Sequence, residues 1–188
     1  MSEAAGQHSD SPKTGRIAVR PLRLHDLDAV MRIAAESPEA AAWSRESYEK
    51  LLEQREAVAL VAEGMESSER ATEPPAEPGK GENGKRPQLA GFLAGRMMGG
   101  EAEILNLAVA AQRRRQGYAA ALLSAALKAF ESDGAEFAYL EVRQSNTAGI
   151  AFYERHGFER TGLRKAYYHD PDEPAVTMSK HIRASQQP

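Results

Sequence analysis

Residues 104 to 131, ILNLAVAAQRRRQGYAAALLSAALKAFE, constrain the fold more than any other stretch of the chain. Ile104, Leu105, Leu107 and Val109 form an apolar run of strand length, of the kind a sheet covers on both faces. A basic turn follows, and then Leu122, Leu123, Ala126, Leu127 and Phe130 recur at helical spacing. The first amides of a helix have no acceptor within it, and the helix dipole makes that end partly positive. Gly117 and Ala119 carry no side chain large enough to hold a diphosphate away from those amides, and Arg113, Arg114 and Arg115 add formal charge. Arg114, Gly117 and Ala119 satisfy R-x-x-G-x-A between a strand and a helix. A solvated basic turn before an Ala-rich helix shares much of this composition, so the phosphate reading needs support from elsewhere. Rival phosphate loops are absent: there is no G-x-x-x-x-G-K-S/T, and no G-x-G-x-x-G after a strand.

That support comes from residues 140 to 158, LEVRQSNTAGIAFYERHGF. Residues 137 to 143 read as a strand, Asn146 as an N-cap, the next turns as a helix and Gly157 as its C-terminal stop. The two segments together resemble the GNAT acetyltransferase superfamily. The first resembles its acetyl-CoA signature, Q/R-x-x-G-x-G/A. The second is similar to the LEVR-x-SN-x-x-A-I-x-x-Y-x-x-x-GF block of the RimI-like branch, the bacterial ribosomal-protein alanine N-acetyltransferases. Glu141, Val142, Arg143, Ser145, Asn146, Ile150, Tyr153, Gly157 and Phe158 fall in register, and Gly149 stands where the pattern has Ala. The likeness extends over residues 17 to 182, apart from one insertion.

The resemblance implies an α/β fold with a mixed, mostly antiparallel sheet flanked by helices, and a parallel, splayed strand pair at the acetyl-CoA site. It implies acetyl-CoA as the acetyl donor, with main-chain groups of Leu107, Ala108 and Val109 on the pantetheine arm and acetyl carbonyl. Arg115, Gln116, Gly117, Tyr118, Ala119 and Ala120 would hold the diphosphate, and Asn146 would touch CoA unless it serves only as a helix cap. Acetyl transfer to an amine needs a group to take the amine's proton and one to supply a proton to the leaving thiolate. The family gives these roles to Glu141, as base, and Tyr153, as acid. Glu101 and Glu103 on the preceding strand remain alternative bases. Arg164, Tyr167 and Tyr168 fall where the branch has a basic, Tyr-Tyr stretch beside the acceptor. Ala110-Ala111 replaces the branch's usual Asp-Pro, and Ala119 the more usual Gly.

The rest of the chain is consistent with one such domain. Its 188 residues allow a single core with sequence to spare. Residues 1 to 15 and 184 to 188 read as tails, and 16 to 183 as the domain. Residues 63 to 88, rich in Pro, Gly, Glu and Ser, read as a disordered insertion at a hairpin tip, where extra length costs only logarithmically in loop entropy. Strands are predicted at 17 to 20, 57 to 62, 89 to 98, 101 to 109, 137 to 143, 158 to 161 and 175 to 182, the last two joined by a loop containing YYHDPDEP. Helices are predicted to open at His25 or Asp26 and at Ser44. Trp43, the single tryptophan, is expected at the edge of the core, with the loop carrying it bordering the acceptor groove in the superfamily.

A net charge of −3 argues against a general nucleic-acid binder. The sequence shows neither a run long enough to span a membrane nor a signal peptide, so a cytoplasmic protein is expected. Cysteine is absent, and the five His are scattered without ligand spacing, so neither a thiol nucleophile nor a metal is expected. A free α-amine titrates near 8 and a lysine near 10.4; a carboxylate base alone suits the former better. The expected activity is acetyl transfer to a protein N-terminus, by resemblance the N-terminal alanine of a small-subunit ribosomal protein. A lysine or small-molecule amine acceptor, or a non-catalytic acyl-CoA-binding module, are the alternatives.

Overall fold

The structure, a computed structural model, describes residues 17–64, 88–169 and 171–182. The two tails lie outside the described residues, as do 65–87 of the insertion. Glu63, Gly64 and Gln88, assigned to that insertion from sequence, instead extend the hairpin: Glu63 pairs with Leu89, and Gly64 with Gln88.

Seven strands form one sheet: β1 (Ala18–Pro21), β2 (Ala57–Gly64), β3 (Gln88–Met98), β4 (Glu101–Val109), β5 (Phe137–Arg143), β6 (Glu159–His169) and β7 (Asp172–His181), in the order β1-β2-β3-β4-β5-β7-β6. Every neighbouring pair is antiparallel except β4 and β5, which are parallel. The crossover between them is the helix α3 (Tyr118–Ser132), as parallel neighbours require a long connection. The remaining helices are α1 (Leu27–Ala35), α2 (Arg45–Leu52) and α4 (Thr147–Arg155).

Two apolar layers sandwich the sheet. Leu122, Leu123, Ala126 and Phe130 of α3 and Ile150 and Tyr153 of α4 pack with Leu93, Ile104, Leu140, Val142 and Met178 on one face. Leu27, Val30 and Ile33 of α1 and Tyr48 and Leu51 of α2 pack with Val61, Phe92 and Ala108 on the other. Period-2 alternation in β2, β3 and β4 feeds both layers, whereas β5 and β7 feed only the first. Phe130 is fully buried, so its truncation to alanine costs about 3–5 kcal/mol.

One break in that alternation shapes the molecule. Ala94 of β3 faces Asn106, but the next residue, Gly95, faces Ile104, leaving Leu105 as an extra residue in β4. A bulge bends and twists its strand. Ala102 and Ile104 precede it on the α3 face; Leu107 and Val109 follow it on the same face, so the side-chain phase shifts at Leu105. The parallel ladder to β5 runs Ala102↔Ala138, Glu103↔Tyr139, Ile104↔Leu140 and stops there, at the bulge. Beyond that point the two strands splay.

The closing hairpin is longer than predicted. Tyr167, Tyr168 and His169 lie in β6, and Asp172, Glu173 and Pro174 in β7, where the sequence suggests a loop. The register slips between Arg164 and Tyr168, placing Lys165, Ala166 and Tyr167 opposite Pro174. Proline has no N–H for a ladder, and a bulge is one of the few places a sheet accepts it.

Candidate active site

The turn before α3 has the backbone geometry of an anion cradle. Arg115 has φ 61° and Gly117 φ 90°, both left-handed, and Gly117 caps the helix. Alternation through left-handed residues turns successive N–H groups toward one concave side. The first bond inside α3 is from Ala121 N–H to Gly117 O, 3.0 Å, which leaves the Tyr118, Ala119 and Ala120 amides without an acceptor in the helix. Arg115, Gln116 and Gly117 are exposed and Ala119 and Ala120 half-buried.

Two side chains of the turn are engaged away from the cradle. The Tyr118 side chain is buried in the core, so only its main chain faces the cradle. Arg114 turns inward: Nε donates to Val109 O at 3.2 Å and Nη2 to Ser37 Oγ at 3.1 Å, and Nη2 pairs with Glu39 Oε1 at 2.9 Å. Its charge is spent on a strut from the turn to the segment after α1.

Leu107, Ala108 and Val109 lie on the splayed half of β4, past the last pair with β5. Across the opening, Glu141 is the first β5 residue beyond that pair. Its side chain, like those of Tyr139 and Arg143, alternates away from the buried Ala138, Leu140 and Val142. Glu141 Oε1 accepts from Arg164 Nη1 at 2.9 Å. The Glu141 carboxylate, with burial, also pushes the Tyr167 phenol up to about 12. The alternative bases lie before the splay: Glu103 pairs with Arg96 at 2.8 Å, and Glu101 accepts from Tyr139 Oη at 3.2 Å.

Tyr153 stands on α4, on the other side of the sheet, with Phe152 and Phe158 against its ring at centroid distances of 5.2 and 5.6 Å. Burial raises its phenol above the ordinary value, and the nearby Tyr168 phenol adds to that rise. Tyr168 also interacts electrostatically with Glu141 and lies under the Arg143 guanidinium, 4.0 Å from its ring centre. Arg143 in turn pairs with Glu173 at 3.3 Å, and the Ser145 N–H holds the Glu173 carboxyl below its ordinary range.

Asn146 caps α4, its Oδ1 accepting from Gly149 N–H at 2.8 Å. A Cβ at position 149, the one position that departs from the second motif, would come within 2.6 Å of Asn146 Nδ2, so an alanine there needs the Asn146 side chain to shift. Asn146, Arg143 and Ser145 also line a cleft of about 440 Å³ with Pro38 and Glu39. It therefore joins the β5–α4 corner to the segment that Arg114 braces.

Trp43 packs at the core edge with its ring 5.1 Å from Tyr48. Two residues here have bracing roles that the sequence does not suggest. Asn106, buried beside the bulge, donates to Tyr48 Oη at 2.9 Å and to Ala41 O at 3.0 Å, fixing the α1–α2 connection. The second is Arg114, whose basic run suggests phosphate contact instead.

A family model described as the acetyltransferase (GNAT) family matches residues 27–158. A Bacillus subtilis (strain 168) protein, provisionally named a ribosomal protein bS18-alanine N-acetyltransferase, is 31% identical over 164 residues, covering 87% of this chain and 94% of the relative. The Escherichia coli (strain K12) ribosomal protein bS18-alanine N-acetyltransferase is 38% identical over 103 residues, covering 54% of this chain and 68% of the relative. The crystal structure of the ribosomal-protein-S18-alanine N-acetyltransferase from Escherichia coli superposes with TM-score 0.67 at 27% identity, covering 92% of this chain and 97% of that one.

Proposed function

The chain belongs to the acetyltransferase (GNAT) family, and from that premise we propose that it acetylates the N-terminal α-amine of a protein, with the N-terminal alanine of ribosomal protein bS18 or a close counterpart as acceptor. The observation that carries the reading is the end of the parallel ladder at Ile104↔Leu140. It leaves a strand edge, Leu107 to Val109, open to an extended ligand and sets Glu141 at the mouth of the gap. The Arg115–Ala120 turn supplies helix amides suited to a diphosphate. Acetyl-CoA, when bound, brings a thioester into the opening.

In the transfer a C–N bond forms and a C–S bond breaks, while the amine loses a proton and the sulfur gains one. Glu141 takes the amine's proton, directly or through water. Tyr153 gives its phenolic proton to the thiolate; its raised pKa keeps that proton in place at neutral pH. Donor main-chain groups of the splayed β4 edge orient the carbonyl under attack. Glu101 and Glu103 are less suited to the base role because they precede the splay and are engaged by Tyr139 and Arg96. Names of relatives support the acceptor class, and a protein N-terminus meets acetyl-CoA in the cytoplasm, where we place the enzyme. Among the described residues no helix is long and apolar enough to cross a membrane.

Labelled acetyl-CoA incubated with Ala-starting peptides, N-blocked lysine peptides and polyamines tests this. The proposal expects label on the Ala α-amine at the highest kcat/KM. Preferential labelling of lysine or polyamine overturns the acceptor, and thermal stabilisation by acetyl-CoA with no turnover on any amine overturns the catalysis.

A further inference from the structure

The carboxylate at the mouth of the splay already holds a cation. Arg164 Nη1 lies 2.9 Å from Glu141 Oε1, and its guanidinium carbon stands 4.6 Å from the centre of the Tyr167 ring. A carboxylate on one side and an aromatic face on the other is the surrounding that a protonated amine seeks.

The pair is easily opened. The Arg164 side chain is 61% exposed and that of Glu141 23%, so water and salt compete for both and the attraction is weak. Arg164 immediately precedes the β6 bulge, where Ala166 is held at φ 51° opposite Pro174. A left-handed non-glycine residue there is a local strain kept by its surroundings. A guanidinium also remains protonated, the more so beside Glu141, so it can fill an amine's place without becoming a nucleophile.

We propose that Arg164 stands in for the acceptor: its guanidinium occupies the position between Glu141 and the Tyr167 ring that the acceptor's ammonium takes, and swings into solvent when an amine arrives. This rests on Glu141 being the base. Arg164 is then a specificity-determining residue that raises the apparent KM of every amine. Acceptors that bring further contacts with their following residues displace it, and small amines compete poorly.

The test compares Arg164→Met and Arg164→Lys with wild type on whichever amine of the panel wild type turns over fastest, so the outcome does not depend on the acceptor being an N-terminal alanine. Arg164→Met is expected to lower KM by roughly two- to fivefold, the scale of one exposed ion pair, with the gain in KM rather than kcat, while Arg164→Lys stays near wild type. Ethylguanidinium is expected to inhibit Arg164→Met competitively with the amine and to affect wild type far less. A higher KM in Arg164→Met makes Arg164 an acceptor contact and overturns the proposal. So does an unchanged KM without competition by ethylguanidinium.

Discussion

Tyr153 and Glu141 come from opposite sides of the sheet, and their surroundings suit them to opposite proton transfers. Tyr153 is buried among aromatic rings with a raised pKa, so it holds its proton throughout the neutral range. Replacing Tyr153 by Phe is expected to lower kcat by about 10²-fold, a usual contribution of one general acid, with calorimetric affinity for acetyl-CoA nearly intact. Wild-type kcat should show no loss from Tyr153 ionisation up to pH 10, because burial shifts that ionisation upward. Glu141→Gln is expected to cost roughly 10²-fold or more in kcat, while Glu103→Gln, which breaks only the pair with Arg96, changes kcat little; steady-state kinetics of the two variants decide between the bases. The LEVR and Y-x-x-x-GF spacing is specific enough to single out both residues as candidates. The Arg164–Glu141 pair is not legible there, because it depends on how β6 and β7 register beside β5, a property of several strands at once.

At the level of elements, the helices and the first five strands follow from local patterns. Asn146 and Ser44 cap α4 and α2 as their spacing predicts, each accepting the N–H three residues on. Gly157 ends the α4 turn at φ 81°. The splay itself is not written in either strand. It arises where Leu105 is accommodated as an extra residue against β3, and no periodicity in ILNLAV marks that position. The β6–β7 hairpin was under-read because Pro and Asp normally argue for a loop, whereas here Pro174 faces a bulge that asks nothing of its nitrogen. Tyr118 is read as a diphosphate contact through its main chain, and helical phase directs its side chain into the core with Leu122. Gly117, in contrast, is a backbone requirement. Its φ of 90° predicts that Gly117→Ala destabilises by about 1 kcal/mol in urea unfolding, and that acetyl-CoA affinity falls further than stability does, because the same strain moves the amides proposed to hold the diphosphate.

Across the whole molecule, β1 is locked to the start of α1 by a group the sequence did not announce. Arg20 donates to both oxygens of the buried Asp26 at 2.7 and 2.9 Å and to Glu63 at 2.8 Å. The Arg20 bond holds the Asp26 carboxyl below its ordinary range despite burial. A depressed carboxyl stabilises the fold fully above its unfolded pKa, about 4, and that contribution is lost as pH falls through the lower folded value. Asp26→Asn is therefore expected to cost about 2 kcal/mol at pH 7 and to flatten the acid limb of stability, measured by urea unfolding from pH 7 to pH 2.

The lock, the Arg114 strut and the Asn106 bonds all hold the first helical pair against the half of the sheet that splays, and the account depends on what that splay admits. A crystal structure with acetyl-CoA tests it most directly. The diphosphate is expected on the amides of residues 116 to 120, the acetyl carbonyl beside Leu107 to Val109, and the sulfur within hydrogen-bonding reach of Tyr153 Oη, with Glu141 facing the open side. Acetyl-CoA lodged elsewhere, as in the groove between α4 and β6, or bound with Tyr153 and Glu141 both turned from the thioester, would contradict it.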